Sequence, residues 1–392
     1  METAFDFLTP PKIVFGWGRR QEVGQLANGL GKRAFFVGGS RTLAANGELD
    51  RLAQSCRDAG LEAERLPDIF HEPEVADVDR ACEWLRAKHA GDGDLLVAIG
   101  GGSAIDLAKA AAAMATNQKQ NSSVADFLEG VGRGWKIVER PLPLLAMPTT
   151  GGTGSEATKN AVISSYDPPF KKSLRSEMMV PRAVLIDPEL SVGVPPATTA
   201  WTGMDAVTQL IESYVSRFAR PMSCALAIEG LRRALPALPQ AVADGNSREA
   251  REAMAYAALL SGIALANAGL GLAHGVAAAL GVHARVAHGL ACAVMLPVAL
   301  RVNRPRCERE LAELARGTLP GDWRSDADAA DAFVAAIDEL AAAVRVPKRL
   351  RELGVQRERI PDLVTSSRGN SMNGNPVQLT DAELSSLLEQ MY

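Results

Sequence analysis

The chain has 392 residues, 47% of them hydrophobic, and a formal net charge of −4. That length accommodates two domains, each with a core of its own. Acids and bases are mixed along it, which argues against a nucleic-acid or polyanion surface. The longest apolar-rich windows, such as "GLACAVMLPVAL", are too short to span a bilayer, and "METAFDFLTPPKIVFG" lacks the basic start and long apolar run of a signal peptide. Five scattered cysteines (Cys56, Cys82, Cys224, Cys292, Cys307) form no CxxC. The expectation is a cytoplasmic protein with reduced thiols that serve as small buried hydrophobes.

The first half alternates strand and helix signals. "RAFFVGG" (33–39) reads as a buried strand ending at glycines, followed by the amphipathic helical stretch "RTLAANGELDRLAQSCRDAG". "LEAERLP" reads as a short strand and "VADVDRACEWLRAKH" as a helix. "DLLVAIGGGS" is an apolar strand ending in three glycines, and "SAIDLAKAAAAMAT" is helical. "LPLLAMPTTGGTGS" is a strand running into a Thr/Gly loop, and "RAVLIDPEL" a last strand that stops at Pro188. Strands separated by helices of this length predict parallel βαβ units.

Beyond about residue 187 the pattern is helical and rich in Ala and Leu, as in "CALAIEGLRRALPAL", "REAMAYAALLSGIALANA" and "DAADAFVAAIDELAAAVRV". No strand is expected between 190 and 392. The predicted architecture is an α/β domain over 1–186 with a parallel, Rossmann-like sheet, then an all-α domain over 187–392. With no long linker between them, the halves are expected to form a cleft.

Two loops carry the first functional signal. In "VAIGGGSAIDLAKA", Gly100, Gly101 and Gly102 separate a strand from a helix. Ser103 is placed to cap that helix and Asp106 to complete a capping box. Free N–H groups and the helix dipole then suit a pyrophosphate, although Ile105 stands at the third glycine position of a GxGxxG fingerprint. In "MPTTGGTGSEATKNAV", Thr149, Thr150, Thr153 and Ser155 surround three glycines directly after a strand. A loop this dense in hydroxyls, at the carboxyl edge of a parallel sheet, predicts a nucleotide cofactor.

The second signal lies in the helical half. In "TGMDAVTQLIESYVS", Asp205 and Gln209 are four residues apart and share one helix face. His274 and His288 are fourteen apart in "AHGVAAALGVHARVAHG", each followed by glycine in apolar surroundings, with His283 between them. Two histidines and an aspartate suit Zn²⁺ or Fe²⁺ and leave room for substrate. His71 and His89 have no metal-type neighbours in the sequence and read as surface or capping residues.

Together these motifs resemble the iron-containing (group III) alcohol dehydrogenase family. The resemblance runs from "PPKIVFGWG" through "GGGSAIDLAKA", "PTTGGTGSEAT", "LIDPEL", "GMDAVTQLIESYVS" and "AHGVAAALGVHARVAHG" to "NPVQLTDAEL", which is essentially the whole chain. It implies an α/β dinucleotide-binding domain followed by a helical metal- and substrate-binding domain. It also implies hydride transfer between NAD(P) and a primary alcohol or aldehyde at a divalent metal, iron or zinc, in the interdomain cleft.

Carried over by resemblance, the metal ligands are Asp205, His274 and His288. The family's additional histidine, four residues after the aspartate, is Gln209 here, and amide oxygen is a poorer transition-metal ligand than imidazole. A histidine often found near the nicotinamide is Ala278 here, which leaves His283 as a weak candidate for proton relay. Gly101, Gly102 and Ser103 would hold the pyrophosphate, with Asp106 in the same motif. Thr149, Thr150 and Thr153 would contact the cofactor, and Lys171, or Lys172 in its place, would lie near the nucleotide. In NAD-preferring relatives an aspartate often follows the first strand; Gly39 stands there, followed by Ser40 and Arg41, which leans the expectation to NADP or dual use. A homodimer or larger homo-oligomer is expected, acting on a small alcohol or aldehyde, with neither nucleic acid nor membrane as partner. The rival readings are a maleylacetate reductase-like enzyme for an acidic oxo substrate, and a non-catalytic or metal-free nucleotide-binding relative.

Overall fold

The computed structural model describes residues 4–117, 119 and 122–392. The strands are β1 (Ile13–Phe15), β2 (Arg33–Gly39), β3 (Glu62–Arg65), β4 (Asp94–Gly100), β5 (Leu144–Pro148), β6 (Asn160–Tyr166), β7 (Pro169–Arg175) and β8 (Ala183–Ile186). Six form one sheet in the order β1-β8-β5-β4-β2-β3, and every pairing in it is parallel. The apolar runs at β2, β4, β5 and β8 become central strands because helices cover both faces, so inward alternation is unnecessary. Two elements have no counterpart in the sequence reading. One is β1, only three residues long; the other is the antiparallel hairpin β6–β7.

The helices of this α/β unit are α1 (Val23–Asn28), α2 (Arg41–Ala45), α3 (Glu48–Asp58), α4 (Val75–Ala87) and α5 (Gly102–Asn117). The stretch read as one amphipathic helix after β2 is two, because Gly47 takes a left-handed conformation (φ 74°) between α2 and α3. Residues of β2 and β4 alternate between two cores. Phe35, Val37, Leu96 and Ala98 pack with α4 and α5, whereas Ala34, Phe36, Leu95, Val97 and Ile99 pack with α1 and α3. The chain leaves β2 toward one edge and continues from β4 toward the other, so the topological switch lies between these strands. Open parallel sheets bind ligands at the carboxyl ends of such a pair. There Gly39 is paired with Gly100. A Cβ on either would come within 2.4 or 2.7 Å of Ala104 Cβ on α5, so only glycine fits this close approach.

The second unit is helical: α6 (Pro196–Val215), α7 (Pro221–Ala243), α8 (Arg248–Ala268), α9 (Leu272–Ala284), α10 (His288–Asn303), α11 (Glu308–Thr318), α12 (Asp326–Ala343), α13 (Ile360–Ser366), α14 (Asn370–Asn373) and α15 (Asp381–Gln390). One continuous apolar core joins them, with Met204, Val207, Leu210 and Ile211 of α6 at its centre. Among the described residues no single helix is long and apolar enough to cross a membrane. The pair α8 and α9 would qualify only jointly, and the two meet at 102°.

By internal contacts the α/β unit comprises Leu8–Thr150 and Gly154–Val194, and the helical unit comprises Pro195–Tyr392, Gly151–Thr153 and the segment ending at Phe7. The break therefore falls beyond the 186/187 junction read from the sequence. Asp187 belongs to the α/β unit, where its carboxylate accepts from the Gly18 and Arg20 backbone N–H groups at 2.9 and 3.0 Å.

Candidate functional site

In the α/β unit the Gly-rich turn joins β4 to α5 and lies beside the Thr/Gly loop after β5. Thr149 is buried, and its N–H donates to Gly100 O at 3.0 Å, which fixes the two loops side by side. Thr150 lies against Gly101, with side-chain atoms 3.5 Å from where a Cβ on Gly101 would be. Gly102 begins α5, so the N-cap position falls at Gly101, and Ser103, the predicted cap, sits two residues further on, inside the first turn.

Asp106 does not complete the expected capping box. Its Oδ1 accepts from Ser155 Oγ, and its Oδ2 from Val162 N at 3.0 Å. It therefore ties α5 to the Thr/Gly loop and to β6. Lys109, fully buried one turn later, donates to Ser155 O and Thr158 Oγ1 at 2.8 Å each, and to Asn160 O. Three acceptors satisfy its ammonium. These two charged residues tie α5 to the loop through partners about fifty residues away, which local spacing does not reveal.

At the end of β2, Gly39 is the last strand residue and Ser40 the first beyond it. Ser40 Oγ accepts from Leu43 N at 3.3 Å and caps α2. The exposed Arg41 guanidinium stacks over Phe70, 5.4 Å from the ring centroid. Lys171 lies on β7 and pairs with Glu72 at 2.6 Å.

In the helical unit, Asp205, Gln209 and Glu212 follow one another along one face of α6. The i, i+4, i+7 spacing makes that stripe a consequence of helix geometry. All three are buried. His274 lies in the first turn of α9 and His288 opens α10. The glycines beside them permit close packing. A Cβ on Gly289 would lie 2.5 Å from Trp201 O of α6, and one on Gly275 would lie 2.9 Å from Met372 Cε. Tertiary packing thus brings two helix starts against the acidic stripe. Ligand atoms of Asp205, His274, His288 and Cys292 all lie within 4.8 Å of one another.

The donor orientation is set by hydrogen bonds. Glu212 accepts from Gly271 N and Ala273 N at 2.9 and 2.7 Å, and from His274 Nδ1–H at 2.7 Å. With Nδ1–H held by Glu212, His274 turns its Nε2 toward Asp205 Oδ1, 3.1 Å away. His288 Nε2 is 3.9 Å from the same oxygen. Asp205 Oδ2 is buried with no hydrogen-bond partner. Leaving a buried acceptor unsatisfied costs about 1–3 kcal/mol, and more for a charged group, so the cluster fits a cation, and its nitrogen and carboxylate donors suit a divalent metal.

The titration of these groups reflects the same geometry. Burial pushes the Asp205 carboxyl up, but the charge of His288 and the hydrogen bond from His274 outweigh it and hold the carboxyl below its ordinary value. Burial alone would lower His274; the adjacent Cys292 sulfur and the Asp205 and Glu212 carboxylates instead raise it well above an ordinary histidine.

Gln209 does not point its amide oxygen at the cluster. Oε1 accepts from Ser261 Oγ at 2.6 Å, while Nε2 donates to Asp205 Oδ1 at 3.1 Å and to Thr153 O at 3.2 Å. The reverse amide orientation would set Oε1 against two acceptors, so the surroundings select this one. His283 is not brought to the cluster; its Nε2 pairs with Ser366 Oγ at 2.7 Å. Glu212 and Cys292 were not singled out in the sequence reading. Each lies on the same helix face as a predicted ligand, seven residues after Asp205 and four after His288, and that spacing was the available signal.

The chain is similar to known proteins along nearly its whole length. Residues 10–188 match the family described as iron-containing alcohol dehydrogenase, and residues 199–392 match its C-terminal region. The long-chain-alcohol dehydrogenase 1 of Geobacillus thermodenitrificans (strain NG80-2) is 32% identical, over 98% of this chain and 95% of its own. The crystal structure of a 1,3-propanediol oxidoreductase superposes with a TM-score of 0.92 at 31% identity, covering 99% of this chain and 100% of that one. A sulfoacetaldehyde reductase from Bifidobacterium kashiwanohense, solved in complex with NAD⁺, has a TM-score of 0.86 at 32% identity, covering 100% and 99%.

Proposed function

The chain belongs to the iron-containing alcohol dehydrogenase family, and from that premise we propose that Asp205, His274 and His288 hold the divalent metal of an NAD(P)-linked enzyme that interconverts a primary alcohol and its aldehyde. Oxidoreduction between alcohol and aldehyde is the activity of the family, with NAD(H) and a divalent metal. The observation that carries the residue assignment is the convergence of these donors around a buried Asp205 oxygen without a partner.

A metal held there supplies Lewis acidity to the substrate oxygen, and the nicotinamide gives or takes the hydride. The chain's own residues prepare for this. Glu212 keeps the His274 proton on Nδ1, and Gln209 fixes Asp205 through its N–H. Gly101, Gly102, Ser103, Thr149 and Thr150 are the proposed nucleotide contacts. Arg41, exposed beside Ser40, offers a cation to a 2′-phosphate, and no carboxylate stands at 39 or 40 to repel one; this supports NADP or dual use. With Ala278 lacking a titratable group and His283 paired with Ser366, water or the cofactor ribose is left to relay the proton. The reading includes a cytoplasmic location, to which five free cysteines lend support, and a homodimer or larger homo-oligomer. Alcohol dehydrogenases among the relatives favour this reaction over reduction of an acidic oxo compound.

The test is metal analysis of protein purified without chelator, combined with NADH and NADPH oxidation against a panel of aldehydes. One bound divalent ion, lost together with turnover in Asp205→Ala and His274→Ala, is the expected result. Full activity and unchanged metal content in both variants would overturn the assignment.

A further inference from the structure

We infer that Cys292 Sγ is the fourth protein ligand of the metal in this chain, so that the centre is Asp–His–His–Cys and favours zinc over iron. The inference rests on the metal assignment above and goes beyond it in naming a thiolate.

Three observations lead there. First, the place of a fourth donor on α6 is closed. Gln209 turns its one acceptor to Ser261 and presents N–H to Asp205. A cation is repelled by that N–H dipole, so Gln209 holds the carboxylate and does not ligate.

Second, Cys292 lies one helical turn after His288, on the same face of α10, and is fully enclosed. Its sulfur is 3.7 Å from His288 Nε2. Around tetrahedral zinc, with Zn–S near 2.3 Å and Zn–N near 2.0–2.1 Å, a sulfur and a nitrogen lie about 3.6 Å apart. For a nitrogen and a carboxylate oxygen the same geometry gives about 3.4 Å, and the His274–Asp205 and His288–Asp205 separations of 3.1 and 3.9 Å bracket it. These three separations lie within about half an ångström of the tetrahedral values, and all four ligand atoms lie within 4.8 Å of one another.

Third, the cluster offers a cation a place beside this sulfur. Asp205 Oδ2 is buried and without a hydrogen-bond partner in the same cluster, so a cation there answers to both groups at once. Thiolate is a soft donor that selects zinc over iron(II) among divalent ions.

The test uses the full-length protein purified without chelator, then loaded separately with Zn²⁺ and with Co²⁺. X-ray absorption at the zinc edge should find one sulfur at about 2.3 Å, and the cobalt form should show a thiolate-to-metal charge-transfer band in the near ultraviolet. Cys292→Ser should remove both signals. It should also weaken zinc retention against a chelator by at least the roughly 10–100-fold that loss of an outer-shell partner costs. Cys307→Ala, at a buried thiol outside the cluster, should change neither signal. The wild-type absorption measurement stands even if a variant folds poorly. A bound metal with only nitrogen and oxygen neighbours would overturn the thiolate and leave the Asp205–His274–His288 assignment standing. Failure to bind either ion would overturn both.

Discussion

Glu212 and His274 meet at 2.7 Å, carboxylate to Nδ1–H, across 62 residues of chain. The same carboxylate accepts from Gly271 N and Ala273 N. Glu212 thus binds three donors from the start of α9 and sets both the position and the tautomer of one proposed metal ligand. Glu212→Gln replaces one acceptor oxygen with an NH₂ that faces donors. Zinc affinity should fall about 10–100-fold, as for other outer-shell partners, and the fold should lose about 1–3 kcal/mol through unpaired buried groups. Chelator competition and denaturant unfolding check the two effects; a variant with unchanged zinc affinity would assign Glu212 to folding alone.

Gln209 should behave differently from a ligand. In Gln209→Leu, Asp205 Oδ1, Thr153 O and Ser261 Oγ each lose a partner, so stability should drop by about 1–3 kcal/mol. Metal stoichiometry should nevertheless stay at one, with affinity reduced but measurable by titration. Complete loss of metal, equal to that in His274→Ala, would make Gln209 a ligand after all.

Metal uptake should release protons. His274 is raised well above its ordinary value and Cys292 is pushed up by burial to about 12, so both carry protons at neutral pH without metal. Zinc must displace the His274 proton, and the Cys292 proton as well if sulfur ligates. Apparent affinity should therefore fall as pH is lowered, about tenfold per unit for each proton released. Calorimetry in buffers of different ionisation enthalpy counts those protons directly.

The metal-free protein should show the opposite side of the same linkage. Asp205, held low, contributes stability that is present above 3.8 and lost as pH falls through its folded value. His274, held high, contributes stability that is present below 6.5 and lost as pH rises through its folded value. Denaturant midpoints of chelator-treated protein should be greatest between these limits, and His274→Ala should flatten the alkaline side.

Cofactor preference should turn on Ser40. Its side chain caps α2 by accepting from Leu43 N, and aspartate caps equally well, so Ser40→Asp should fold normally. The new carboxylate would repel a 2′-phosphate and accept from ribose hydroxyls. The ratio of kcat/KM for NADPH over NADH should fall by roughly tenfold or more, the effect of about 1.4 kcal/mol. An unchanged ratio would place selection elsewhere.

Glu156 offers a pH test in the α/β unit. Burial pushes its carboxyl up from 4.5 to about 7, against the opposing pull of its backbone hydrogen bond and Lys109. The folded state therefore holds this proton longer than the unfolded chain does, and stability declines as pH rises from 4.5 through about 7. The shift corresponds to roughly 3 kcal/mol. Glu156→Gln should remove that slope, so that the variant overtakes the parent in denaturant melts above pH 7.

Local patterning sufficed for most of the α/β architecture. The strands β2, β4, β5 and β8 are unbroken apolar runs because both sheet faces are covered, and the sequence displays them as such. The strand β1 is three residues of "IVF", too short for any period to register. The hairpin strand β7, "PFKKSLR", is half polar because most of its side chains are only partly covered. Asp106 shows a different limit: its position in the first turns of α5 suggested a capping box, but its carboxylate finds partners about fifty residues away at Ser155 and Val162.

At the candidate metal centre the division is similar. Helical periodicity by itself places Asp205, Gln209 and Glu212 on one face, and the two His-Gly pairs mark His274 and His288. Which of these atoms converge was decided only when α6, α9 and α10 packed together. Periodicity constrains neighbours within a turn or two, whereas the direction of an amide, the tautomer of an imidazole and the proximity of a thiol depend on atoms contributed by other helices. For that reason Gln209 read as the doubtful fourth ligand and Cys292 as an inert core residue, whereas the packing of the helical unit turns the Gln209 amide oxygen to Ser261 and sets the Cys292 sulfur 3.7 Å from His288 Nε2.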